Sequence, residues 1–181
     1  GNPLEIVLLY PGFKALRSHK RANWFLRHNM PFIARAISQR CAHKTGIEIH
    51  PGATIGKRVV IDHGNGIVIG ETTEIGEYVK IYQGVTLGGL STRGGQSLKG
   101  TKRHPTIKDR VTIYSGASIL GGETVIGEGV VIGSSTFITS SIEDGARVSI
   151  KNQEMNIRSG SKKDLRACAL EDNDSWYCSC L

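Results

Sequence analysis

"IDHGNGIVIGETTEIGEYVKIYQGVTL", residues 61–87, decides the fold, because an aliphatic residue closes each short phrase: Ile61, Ile69, Ile75, Ile81 and Leu87. From Ile69 onwards the step is six. A helix stripe needs a spacing of three to four and a strand needs two, so six fits neither alone. It fits a solenoid in which every flat side is one short strand, the aliphatic residue points inward and a Gly or polar residue turns the corner. The same phase extends back to Ile49 and Ile55, and forward through Ile107, Ile113, Ile119, Ile126, Ile132 and Ile138. A second small or aliphatic position falls four residues after many of them, at Ala53, Val59, Val79, Val85, Val111, Ala117 and Val130. The expected fold is mainly β: a parallel β-helix of hexapeptide repeats, three sides to a coil, stacked over a continuous aliphatic column. A sandwich of short strands would show turns every 8 to 12 residues or so and no fixed phase.

The phase slips in three places. Ile61 to Ile69 is a step of eight, Ile119 to Ile126 a step of seven, and "GGLSTRGGQSLKGTKRHPT" intervenes between Leu87 and Ile107. Excess residues in a solenoid must leave the stack as a bulge or loop. Two of the three slips place a His beside a charged residue, Asp62-His63 and Arg103-His104. These are the places to look for chemistry.

Outside the repeat the composition changes. Residues 1–46 read as a short helical segment, with apolar residues at helical spacing, a break at "YPG" (residues 10–12), a third helix opening after Pro31 and a stop at Gly46. Residues 47–150 form the β-helix, with a loop over 90–106, and residues 151–181 read as a polar, charged tail. No apolar run approaches the ~18 residues of a membrane span. Glu5 interrupts the first apolar run and basic residues follow it, so no secretory leader is expected. Cys41, Cys168, Cys178 and Cys180 share no CxxC spacing, which suits free thiols in a reducing cytoplasm. The formal charge of +7 gathers in residues 14–44 and 93–110. A solvated basic surface and a phosphate-bearing small ligand both explain it. With 6% aromatic residues and no alternation of rings with Lys or Arg, it gives no support to nucleic acid.

Taken as residues alone, His63 is either an idle corner imidazole or a base whose tautomer a carboxylate fixes. Glu48 lies less than one coil earlier, and the spacing predicts that the two face each other across a corner. "TKRHP" (residues 101–105) is either an ordinary basic loop or a site where Arg103 grips a carboxylate by two parallel hydrogen bonds. A zinc site would draw on His50, His63 and His104, but no local spacing supports one, and no metal is expected.

"IEIHPGATIGKRVVIDHGNGIVIGETTEIGEYVKIYQGVTLGG" (residues 47–89) followed by "KRHPTI" (residues 102–107) resembles the serine O-acetyltransferase family of hexapeptide-repeat acyltransferases. The resemblance runs from about Pro3 to Ile150. It implies a left-handed parallel β-helix, a homotrimer or a hexamer of two trimers, and active sites between subunits. It implies transfer of acetyl from acetyl-CoA to the hydroxyl of L-serine, on the way to cysteine. By motif, His63 is the general base and Glu48 stands where the family has its Asp partner. Asp62 binds the substrate ammonium, Arg103 holds its carboxylate with Glu71 steadying the Arg, and His104 is the second active-site His. Gly88 and Gly89 admit the ligand close to the backbone, and Ser115 and Ser134 lie along the CoA groove. L-cysteine is implied as an inhibitor, and cysteine synthase as a partner of the tail. The chain departs from the family pattern in Glu48, in the length of the loop from Leu90 to Thr101, in ending at Leu181 where Ile is usual, and in an Asp-Pro that falls before Gly1. Other readings are an acetyltransferase for homoserine or another small hydroxyl acceptor, a catalytically weak regulatory homologue of the same fold, and a metal-dependent hydratase.

Overall fold

The structure is a computed structural model that describes residues 3–90 and 100–151. The expected readings for most of the 90–106 loop, for the tail with Cys168, Cys178 and Cys180, and for the chain end at Leu181 lie outside those residues.

Three helices lead in: α1 (Pro3–Leu9), α2 (Pro11–Arg27) and α3 (Pro31–Thr45). Pro11 and Pro31 each open a helix, where the missing N–H is no loss. Gly46 closes α3 in the left-handed conformation at φ 68°, donating its N–H to Ala42 O. The face that α2 presents inward is made of the small residues Gly12, Ala15 and Ala22 together with His19. A Cβ on Gly12 would lie 2.2 Å from the carbonyl oxygen of Ile61, so only Gly admits that approach. Of the large apolar residues at helical spacing, Leu8, Phe13 and Trp24 are exposed, while Leu16 packs against the core. Ser38 Oγ donates to Ile49 O (2.6 Å) and Asn23 Nδ2 to Pro51 O (2.7 Å), tying α3 and α2 to the first coil.

The solenoid has three parallel faces. The first carries β1 (Ile47–Ile49), β4 (Ile67–Ile69), β7 (Thr86–Gly88), β10 (Ser118–Leu120) and β13 (Phe137–Ile138). The second carries β2 (Thr54–Ile55), β5 (Glu74–Ile75), β8 (Thr106–Ile107) and β11 (Val125–Ile126). The third carries β3 (Val60–Ile61), β6 (Lys80–Ile81), β9 (Thr112–Ile113), β12 (Val131–Ile132) and β14 (Arg147–Val148). The period-six residues stack in register, Ile49 on Ile69 on Leu87 on Ile119 on Ile138 along the first face. On the third face Ile61, Ile81, Ile113 and Ile132 do the same. Nearly all are buried, and each buried Ile contributes about 1.5–3 kcal/mol. The column of small residues is buried too, from Ala53 and Val59 to Val130. Ile47 and Ile67 join the core outside the period, because β1 and β4 are three residues long and turn both ends inward.

Candidate active site

Two corners of the solenoid gather the residues singled out above. The first lies between the third and first faces. Asp62 N donates to Ile81 O (3.0 Å), as Tyr82 N donates to Ile113 O (3.0 Å) one coil on. Gly84 N donates to Asn65 O and Gly116 N to Gln83 O, both at 2.9 Å. Asp62 is thus the register partner of Tyr82, and Asn65 that of Gln83. The two extra residues of the step of eight are therefore His63 and Gly64. Both take positive φ, 57° and 86°. A Cβ on Gly64 would meet Ile47 Cδ1 at 2.5 Å, so this Gly dips onto the core. His63, beside it, turns outward with its side chain 75% exposed, and its Nε2 is 4.0 Å from Asp62 Oδ1. Further along the same corner, Ser115 Oγ donates to Ser134 Oγ (3.3 Å).

The second corner lies between the first and second faces, where the inserted loop rejoins the stack. Here Gly70 to Thr73 sits below Lys102 to Pro105. Arg103 Nη2 is 3.9 Å from Glu71 Oε2, and Lys102 Nζ is 3.1 Å from Glu74 Oε1. Lys102 Nζ also donates to Thr72 O (2.7 Å). A Cβ on Gly89 would lie 3.6 Å from Arg103 O and 4.0 Å from His104 Nε2, which places the end of β7 against this corner. Above it, a Cβ on Gly122 would meet Lys102 O at 2.0 Å. The step of seven between Ile119 and Ile126 thus holds a Gly at the point where a side chain would collide with the returning loop.

His104 is buried, and burial lowers its pKa, reinforced by the Arg103 guanidinium and opposed by Glu71, with smaller lowering from His50 and Lys102. The pKa of His50 is lowered by burial as well, with Glu71 opposing. Both imidazoles are held toward the neutral form. His50 Nδ1 accepts the Gly52 N–H (3.1 Å), and a Cβ on Gly52 would lie 3.0 Å from Glu71 Cγ. His50, singled out in the sequence only as a candidate zinc ligand beside His63 and His104, therefore flanks the Arg103–Glu71–His104 cluster.

Glu48 lies on β1 in the first face, where Arg35 Nη2 is 3.5 Å from its Oε1. Among the described residues no hydrogen bond or ion pair joins Glu48 to His63. Nor do the described residues contain a group of three or more His, Cys, Asp or Glu placed to hold a metal ion; His50 and His104 share one corner and His63 stands at another.

A stack of parallel isoleucine-lined coils with imidazoles at its corners is the architecture of the hexapeptide-repeat acyltransferases. Comparison with known proteins narrows that class. The chain is 55% identical to the serine acetyltransferase of Helicobacter pylori over 74 residues, 41% of this chain and 43% of that protein. It is 54% identical to that of Bacillus subtilis over 71 residues, 39% of this chain and 33% of that protein. Among solved structures, Entamoeba histolytica serine acetyltransferase isoform 3 in complex with cysteine superposes with a TM-score of 0.76 at 34% identity, over 95% of this chain and 59% of that one. Neisseria gonorrhoeae serine acetyltransferase in complex with serine gives 0.74 at 31% identity, over 83% and 59%. The solenoid thus matches the left-handed β-helix of these serine acetyltransferases, and the chain is similar to them in sequence across the repeat. It spans about 43% of the H. pylori protein's length. No protein-family model matches it.

Proposed function

We propose that this chain carries the acetyl-transfer site of a serine O-acetyltransferase, moving acetyl from acetyl-CoA to the hydroxyl of L-serine in cysteine biosynthesis. The observation that carries this reading is the second corner: Arg103, braced by Glu71, stands beside the buried His104. A guanidinium there suits the carboxylate of a small amino acid. His63, raised by its two-residue insertion, takes the proton from the serine hydroxyl. The alkoxide attacks the thioester carbonyl, and the proton then passes to the departing CoA sulfur. Asp62 offers a carboxylate to the substrate ammonium. Gly88, Gly89, Ser115 and Ser134 lie along the path for CoA.

In one chain the two His-bearing corners flank the first face at opposite edges. We propose that a second copy brings its His63 corner to the His104 corner, in a homotrimer or in a hexamer built from two. Glu48 then pairs with an imidazole across that interface. L-cysteine, which differs from serine at the nucleophilic atom, competes at the same site. Docking of the tail into cysteine synthase and a cytoplasmic location belong to the same reading. The described residues contain no helix long and apolar enough to cross a membrane.

The test is CoA release from acetyl-CoA across an acceptor panel, with and without cysteine. L-serine should support turnover that His63→Ala lowers by about 10²–10⁴-fold. Preference for homoserine overturns the acceptor. No turnover with any acceptor, together with binding to cysteine synthase, makes the chain a regulatory homologue instead.

A further inference from the structure

We infer that Thr72 fixes His104 as the Nε2–H tautomer, so that this imidazole serves acetyl transfer as a hydrogen-bond donor and leaves proton abstraction to His63. The inference rests on the acetyltransferase reading for its catalytic part, and on geometry alone for the tautomer.

A backbone N–H has only a proton to give. Thr72 N donates to His104 Nδ1 at 3.1 Å, so Nδ1 presents a lone pair there and carries no proton. In a neutral imidazole the single N–H then sits on Nε2. The Thr72 hydroxyl acts in the same sense. Its oxygen accepts the N–H of Arg103 (2.9 Å) and of His104 (3.1 Å), which leaves its own proton for Nδ1 at 2.8 Å. One side chain thus grips both the backbone and the ring of the same residue. A proton arriving on Nδ1 would meet two donors already in place. The ring is further confined because it lies on Gly70.

The consequence is chemical. An Nε2–H nitrogen has no lone pair with which to take a proton. It can donate to oxygen, and the oxygen that gains charge in acetyl transfer is that of the thioester carbonyl. Among the described residues His63 has no comparable tether; its Nε2 lies 4.0 Å from Asp62 Oδ1. The two imidazoles are thereby divided between donor and base, and Thr72 is a positioning residue for the donor.

The experiment is a two-bond ¹H–¹⁵N correlation spectrum of the His104 ring in the labelled full chain at pH 7, with steady-state kinetics on Thr72→Val and Thr72→Ser. The wild-type ring should give the Nε2–H pattern. Thr72→Val should lose about 10–100-fold in kcat, with the KM for L-serine little changed, and Thr72→Ser should restore most of it. A wild-type ring protonated on Nδ1, a Thr72→Val variant with wild-type kcat, or a Ser variant no better than the Val variant would each overturn the inference. An Nε2–H ring in a protein that releases no CoA with L-serine would remove the catalytic role together with the acetyltransferase reading, while upholding the tautomer.

Discussion

The imidazole of His104 lies flat on Gly70: a Cβ there would stand 2.0 Å from Cδ2 and 2.2 Å from Nε2. Gly70 has no positive φ, so its backbone would accept Ala without strain. Gly70→Ala should therefore spare the fold and expel the ring. A displacement of about 1 Å at a reacting group can cost 10²-fold, so we expect kcat to fall by about that factor with far-ultraviolet circular dichroism unchanged. Loss of the β signal in that variant would mean that the Gly serves packing instead.

Excising His63 and Gly64 together should leave a corner like that of the next coil, with Asp62 followed directly by Asn65 as Tyr82 is by Gln83. It also removes two of the left-handed residues of this corner. The shortened chain is expected to fold with a melting temperature no lower than the full chain's, and to release no CoA. A folded, fully active deletion variant would dismiss the insertion as the source of the base.

Gly64→Ala asks for a different response. It must hold Ala at φ 86° and press a methyl group to within 2.5 Å of Ile47 Cδ1. Gly129 provides the control, with φ 68° and open space around it. Left-handed backbone alone costs about 1–2 kcal/mol, so Gly129→Ala should lose that much and Gly64→Ala measurably more, by urea denaturation. Equal losses would show that the close approach to Ile47 relaxes freely.

The period of six located the core and both irregular corners because each solenoid position sees a fixed environment: Ile75, Ile81 and Ile107 are buried for one reason. It also located His63, since an insertion is a local event in the chain. What periodicity could not reach is contact between coils around the loop. Thr72 and His104 stand 32 positions apart with irregular sequence between them, and "ETTEIG" reads as an ordinary polar corner. The expected meeting of Glu48 and His63 rested on counting residues around a coil. In the structure Glu48 pairs with Arg35 of α3, a helix whose position no repeat length encodes. The inward face of α2 was hidden similarly, because Gly12, Ala15, His19 and Ala22 are its buried residues while Phe13 and Trp24 stay exposed.

His19 couples stability to pH. It is buried between α2 and the first coil, bonded to the backbone of Ala53, with no partner for Nδ1 among the described residues. Burial is the main cause that brings its pKa down to about 4, from 6.5 in the open chain. At pH 7 the ring is largely neutral in both states. As pH falls below 6.5 the unfolded chain takes up a proton that the folded chain excludes, so folding weakens with each step down and the loss is complete near pH 4. The difference in pKa corresponds to about 3 kcal/mol. His19→Gln, whose amide does not titrate, should be less stable than wild type at pH 7 and should lose less on acidification. Urea midpoints measured from pH 7 to pH 4 should converge for the two proteins; if instead they fall in parallel, the acid sensitivity belongs to another group.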